Sequence, residues 1–135
     1  MLYGWEDVTA TIAHYETSGK RIGVAVSRAG KTEFGHRAAE PFIAASTVKV
    51  PLMVELYRQA DRGERSLTDR IVLTAEMKAV GSGVLLHMSP GITLTLEDLI
   101  YLMISISDNT ATNVLIDLAG MDKVNSTIRS LGMTG

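Results

Sequence analysis

Ile43-Ala44-Ala45-Ser46-Thr47-Val48-Lys49-Val50-Pro51-Leu52-Met53-Val54-Glu55-Leu56-Tyr57-Arg58-Gln59-Ala60 is the stretch from which the chain is best read. Its apolar residues Val48, Leu52, Met53, Leu56, Tyr57 and Ala60 recur at helical spacing, and at ~100° per residue they share one face. Thr47, Pro51, Glu55 and Arg58 fall opposite, on the side that the periodicity assigns to water. Lys49 breaks the pattern: it falls near the middle of the apolar arc, with Ser46 one turn earlier at the edge. A charged lysine aimed at a core is costly unless it is paired, neutral or snorkelling. Two readings stand at this point. In one, Ser46 helps cap the helix and Lys49 lays its stem over the core and reaches water. In the other, a serine and a lysine one turn apart in a partly dry site are a reactive pair.

The whole sequence bounds the choice. Its 135 residues are one domain's worth of chain, and an apolar fraction of 46% marks it as globular. A net charge of −2 gives no footprint for nucleic acid or an anionic membrane. With no cysteine, disulfides, thiolate catalysis and cysteine-based zinc sites are excluded. Met1 to Asp7 has neither a basic nor an apolar leader region, so no signal peptide is expected, and no apolar run is long enough to span a bilayer.

Outward from the central stretch, Trp5, Val8, Ile12 and Tyr15 predict an amphipathic helix over 2–17, stopped by Ser18-Gly19. Residues 21–27 read as a strand with one closely covered face, Ala29-Gly30 as a tight turn, and 31–37 as the returning strand of a hairpin. The helix carrying Ser46 is expected to end near Asp61-Arg62-Gly63. Ser66 to Asp69 looks like a short helix start, and Ile71-Val72-Leu73 suits a small strand or an extended run. Gly81-Ser82-Gly83 and Ser89-Pro90-Gly91 are breakers around Val84 to Met88. Thr95 with Asp98 makes a capping box. The residues that follow, Leu99 to Ile106, are apolar nearly all round and predict a helix at the centre of a helical cluster. Two more amphipathic helices follow, stopped by Gly120 and Gly132.

The central apolar helix delivers the chain to Ser107-Asp108-Asn109-Thr110. Taken alone, Ser-Asp-Asn is a good helix cap. Together with a Ser-x-x-Lys about sixty residues earlier it is a known catalytic pairing. On Ala45-Ser46-Thr47-Val48-Lys49-Val50-Pro51 and Ile106-Ser107-Asp108-Asn109-Thr110-Ala111, the chain resembles the serine β-lactamase and penicillin-binding-protein superfamily, and within it the class A-like serine hydrolases. Gly81-Ser82-Gly83-Val84-Leu85 and Leu96-Glu97-Asp98-Leu99 also look like this family's helical domain. The resemblance runs through all 135 residues.

The resemblance implies an α/β (α+β) fold of the β-lactamase/DD-peptidase type, a helical cluster plus an incomplete antiparallel sheet. It implies Ser46 as the nucleophile that forms an acyl-enzyme, with Lys49 helping to remove its proton. Removing that proton needs a neutral amine or an ordered water, and burial disfavours the charged form. Ser107 matches the residue that relays a proton to the departing nitrogen, and Asn109 the one that holds the lysine and the substrate's amide. Asp108 is expected to fix the loop rather than do chemistry. The implied partner is a small molecule, a β-lactam or a peptide-like amide or ester, with no cofactor. No metal is implied either: His14, His36 and His87 lie apart without ligand spacing.

The departures from the family matter as much. No Lys-Thr-Gly occurs, and Lys31-Thr32-Glu33 is not a substitute because it precedes the nucleophile and lacks the glycine. The deacylating carboxylate of class A enzymes belongs to a loop that would begin near residue 135, and none of Glu55, Glu64, Glu76 or Glu97 matches it. Residues 1–135 therefore read as the N-terminal portion of a longer hydrolase domain. The expected function is opening of a β-lactam through a Ser46 acyl-enzyme. The alternatives are a D-alanyl-D-alanine peptidase or esterase, and a penicillin-binding sensor that stays acylated. Family members are usually periplasmic or secreted, and the sequence does not decide the compartment.

Overall fold

A computed structural model describes residues 4–133, which divide between two compact units, Met1–Ile43 and Ala44–Gly135. In the first, α1 (Trp5–Glu16) starts where the Gly4 N–H donates to the Asp7 carboxylate at 3.0 Å. The part of the expected helix that falls on Leu2 and Tyr3 lies outside the described residues. Antiparallel strands β1 (Val24–Arg28) and β2 (Lys31–His36) pair from Val24↔His36 to Arg28↔Lys31, with a bulge after Val26. The turn has φ of +49° at Ala29 and +76° at Gly30, the conformation that two-residue hairpins require. Trp5 stacks on Phe34 at 5.0 Å, and Glu16 binds both His36 and Arg37. The strand begins at Val24 rather than Arg21. Gly23 lies against the Phe42 ring, which a Cβ there would meet at 2.5 Å, so the close cover read from the sequence falls just before the ladder.

The second unit is built on four helices: α2 (Lys49–Asp61), α3 (Leu96–Ser105), α4 (Asn109–Ala119) and α5 (Met121–Ser130). A two-stranded antiparallel sheet, β3 (Arg70–Val72) with β4 (Thr93–Thr95), leads into α3. Its capping box forms as expected, with the Asp98 N–H donating to Thr95 Oγ1 at 3.0 Å and the Thr95 N–H to Asp98 Oδ2 at 2.9 Å. Leu52, Leu56, Leu73, Leu85, Leu96, Leu99, Met103 and Leu115 make the core, each contributing about 1.5–3 kcal/mol by leaving water. Pro51 falls in the first turn of α2, where a missing N–H costs little.

Four expectations are corrected. Ser66 to Asp69 is a turn, not a helix start: the Asp69 N–H donates to the Ser66 carbonyl and the Asp69 carboxylate accepts the Ser66 N–H. The segment that opens at Ala45 is a 3₁₀ turn over Ala45–Val48, so Ser46 precedes the α-helix and caps nothing. Pro51 and Glu55 of α2 are buried, while Tyr57 of α2 and Val48 in the 3₁₀ turn before it are exposed. The supposed wet side is an interface with α5 and the end of α4, and its lining is polar. Glu55 accepts from Thr127 Oγ1 (2.6 Å), Gln59 Nε2 (2.8 Å) and Arg62 (3.1 Å), and Gln59 also donates to the Ala119 carbonyl (2.9 Å). Finally, α3 is not central. Leu96, Leu99, Ile100 and Met103 face inward, but Tyr101 is 71% exposed and Ile104 and Ile106 also meet solvent. The more enclosed helix is α4, with Thr110, Ala111, Thr112, Val114, Leu115 and Ala119 buried.

Candidate active site

The second unit brings Ser46, Lys49, Ser107 and Asn109 into one hydrogen-bonded group. Ser46 is placed by the 3₁₀ turn, and the residue before it, Ala45, is held at φ +46°. Lys49 is the first residue of α2 and is only 6% exposed. Ser107 stands between α3 and α4 at φ +59°, a left-handed conformation rare outside glycine and asparagine. Such strained residues persist only when their surroundings over-determine them. At Ser107 the surroundings are the next two residues.

Asp108 is fully buried and caps α4 by accepting the Ala111 N–H at 3.0 Å. Its other oxygen accepts the N–H groups of Val84 (2.7 Å) and Leu85 (2.9 Å). One carboxylate thus ties the helix start to the 79–85 loop. Asn109 strengthens the tie: its backbone N–H donates to the Ser82 carbonyl at 2.9 Å and its Nδ2 to the Val80 carbonyl at 3.1 Å. Thr110 Oγ1 adds a bond from the Ala79 N–H at 3.0 Å.

Into this frame reaches Lys49. Its Nζ donates to the Ser107 carbonyl (2.8 Å), Ser107 Oγ (2.7 Å) and Asn109 Oδ1 (3.2 Å), matching the three donors of an ammonium. No carboxylate lies within ion-pair distance of it among the described residues. Ser107 Oγ in turn donates to Ser46 Oγ at 3.0 Å. The lysine therefore touches the exposed Ser46 hydroxyl through Ser107, not directly. A chain of lysine, hydroxyl and hydroxyl can carry a proton in either direction by reversing its hydrogen bonds.

All four residues singled out from the sequence meet here, and Asp108 sits beneath them as a scaffold. Sequence reasoning did not find the part played by the 79–85 loop, whose Val80 and Ser82 carbonyls fix Asn109. The signal was present in the closely spaced Gly81 and Gly83, which read as breakers and as part of the family resemblance but were given no role in the site. Among the described residues no group of histidine and carboxylate side chains is arranged to hold a metal ion.

Residues 5–135 match the model of the Beta-lactamase enzyme family. A β-lactamase of Rhodobacter capsulatus is 34% identical over 131 residues, 94% of this chain and 44% of that protein. The crystal structure of a β-lactamase from Sphaerobacter thermophilus superimposes with a TM-score of 0.90 at 58% identity, over 97% of this chain and 49% of the other. A point mutant of PBP-A, solved as its acyl-enzyme complex with penicillin G, aligns with a TM-score of 0.72 at 28% identity, over 94% of this chain and 50% of the other. The chain thus spans about half the length of the relatives it matches.

Proposed function

The chain belongs to the β-lactamase enzyme family, and from that premise we propose that Ser46 is the nucleophile of a serine hydrolase that opens β-lactam rings through an acyl-enzyme. The observation that carries this reading is the continuous chain from Lys49 Nζ through Ser107 Oγ to Ser46 Oγ, at 2.7 and 3.0 Å. Ser46 Oγ attacks the lactam carbonyl carbon. Once the Lys49 ammonium has lost a proton to solvent, the Ser46 proton passes to Ser107 Oγ as the Ser107 proton passes to the neutral Nζ. When the ring C–N bond breaks, Ser107 protonates the departing nitrogen and is reprotonated by Lys49. The product is an ester on Ser46, and water cleaves it to release the ring-opened acid, the chemistry by which β-lactam antibiotics are destroyed.

Asn109 holds the lysine through Oδ1. By the family resemblance it also meets the amide of the substrate. The backbone N–H of Ser46, in the first turn of its 3₁₀ segment, is one donor for the developing oxyanion. The second donor and the deacylating base belong, by the same resemblance, to parts of the family fold that these residues do not match. Loss of one oxyanion donor typically slows acyl transfer by about 10²–10³. Residues 1–135 alone are therefore expected to be acylated slowly and not to turn over.

The likeness to PBP-A, a point mutant of which was solved as a penicillin acyl-enzyme, favours a second reading, a penicillin-binding protein whose acyl-enzyme persists. The two readings share acylation and differ in deacylation. Incubation with a fluorescent penicillin, followed by peptide mapping, tests the common step. The label is expected on Ser46 and is expected to vanish in Ser46→Ala. Label that survives this change, or that maps to Ser107, overturns the assignment.

A further inference from the structure

We infer that Gly81 is a positioning residue for the Ser46 site, and that it acts through Asn109. The inference rests on the reading of Ser46 as nucleophile. Gly81 lies at φ +111°, and a Cβ built there would stand 2.4 Å from Asn109 Nδ2, closer than any real contact of that kind. The empty side of Gly81 is thus occupied by the Asn109 amide. The same amide donates to the neighbouring Val80 carbonyl and accepts from Lys49 Nζ. The absence of a side chain at 81 is what lets the loop close onto Asn109 and present its Oδ1 to the lysine.

The consequence differs from ordinary packing. Asn109 Nδ2 is the end of a side chain, not backbone, so a methyl group at 81 is accommodated by turning the amide aside. The loop itself stays tied by Asp108 to Val84 and Leu85 and by Thr110 to Ala79. What is lost is the pair of bonds that aim Asn109, and with them one of the three acceptors that fix the Lys49 amine. Small displacements of a reacting group are costly: about 10²-fold in rate for about 1 Å.

Two other glycines separate this effect from backbone strain. Gly91 also has a left-handed φ, +94°, but a Cβ there would meet nothing within 4 Å. At Gly83, φ +118°, the Cβ would meet the Asp108 carboxylate at 2.2 Å and the Asp108 Cα at 2.6 Å, a collision with the scaffold itself. Gly91→Ala therefore reports strain alone, Gly83→Ala reports loss of the fold, and Gly81→Ala reports Asn109.

The experiment follows Ser46 labelling by a fluorescent penicillin and the Asn109 side-chain amide signals by NMR, in the 135-residue chain and its variants. Gly81→Ala is expected to keep a folded spectrum, to shift both Asn109 amide protons, and to slow labelling on the order of 10²-fold. Gly91→Ala is expected to leave those protons in place and the labelling rate within about twofold. In an Asn109→Ala background, where the methyl group has room, adding Gly81→Ala is expected to change labelling by less than about threefold, because strain cancels and only the contact is measured. Unmoved Asn109 signals in Gly81→Ala, or an equal loss of rate in both backgrounds, overturn the inference while leaving Ser46 as nucleophile. If the wild type carries no label on Ser46, the functional reading fails, and the NMR shift still decides whether Gly81 sets Asn109. Should Gly81→Ala alone unfold, the Gly81→Ala/Asn109→Ala double variant decides: recovery of a folded spectrum upholds the inference, and a double variant that is still unfolded overturns it.

Discussion

Helix α2 buries two ionisable side chains, Lys49 in its first turn and Glu55 at its middle on another face, and the two are served differently. Lys49, 6% exposed, is held by a carbonyl, a hydroxyl and an amide oxygen with no opposite charge. Glu55, 3% exposed, receives a hydroxyl, an amide and the Arg62 guanidinium. Burial pushes the Glu55 carboxyl up, and the hydrogen bonds from Thr127, Gln59 and Arg62 together hold it below its ordinary value. A buried ion with a counter-charge is locked in its ionised form and acts as a structural tie. A buried amine held only by neutral acceptors is tied by hydrogen bonds alone, with no counter-charge fixed beside it. The same helix thus carries a reactive lysine at its start and a clamped glutamate about two turns along it.

The largest effect that would break this comparison is at the reactive lysine. Lys49→Met, close in volume and uncharged, is expected to slow Ser46 labelling by about 10²–10⁴, the range of general acid–base assistance. Its melting temperature is expected to stay level or rise slightly, because a buried charge is replaced by a packed apolar chain. Labelling rates and thermal melts on the same preparations check both halves. A loss of several kcal/mol in stability would place Lys49 with Glu55 as a structural anchor.

The clamped Glu55 is expected to behave in the opposite way. Glu55→Ala leaves Thr127, Gln59 and Arg62 without their shared acceptor and is expected to cost about 3 kcal/mol, while folded protein labels at the wild-type rate. The sign of the pH dependence follows from the lowered carboxyl. Its stabilisation is full above the ordinary carboxyl value of 4.5 and is lost as pH falls through the depressed folded value. Glu64, drawn down to about 2 by hydrogen bonds from Arg62 and Lys123, adds a smaller loss in the same direction. Acid titration of the melting temperature is therefore expected to be shallower in Glu55→Ala than in wild type. Equal slopes would remove Glu55 from the ionised pair.

These contrasts also mark how far the sequence could be read. The helical wheel placed Lys49 on the inner arc, because a lysine among leucines at helical spacing is a local fact. The same wheel sent Glu55 to solvent, because what covers it lies far along the chain: Thr127 on α5 donates to it from 72 residues away, and a polar interface looks like a wet face until that partner is known. The apolar α3 was read as central for the converse reason: periodicity counts apolar residues but does not say whether anything lies against Tyr101 or Ile104. The hairpin, the Thr95 capping box and the Gly63 and Gly120 stops were legible, since each depends on neighbours a few residues away. That Asp108 fixes its loop was expected from the family resemblance, but which amides of the 79–85 loop it binds, and the closeness of Gly81 to Asn109, required the fold. Their contacts join segments more than twenty residues apart, and only the closed loop gives Gly81 its reason to lack a side chain.

The measurement that tests the account most directly is the labelling rate of Ser107→Ala by a fluorescent penicillin, with the adduct mapped by mass spectrometry. If protons travel between Ser46 and Lys49 through the Ser107 hydroxyl, the rate is expected to fall by about 10²–10⁴ while the label remains on Ser46. A rate close to wild type would mean that Lys49 serves Ser46 without Ser107, and would contradict the relay.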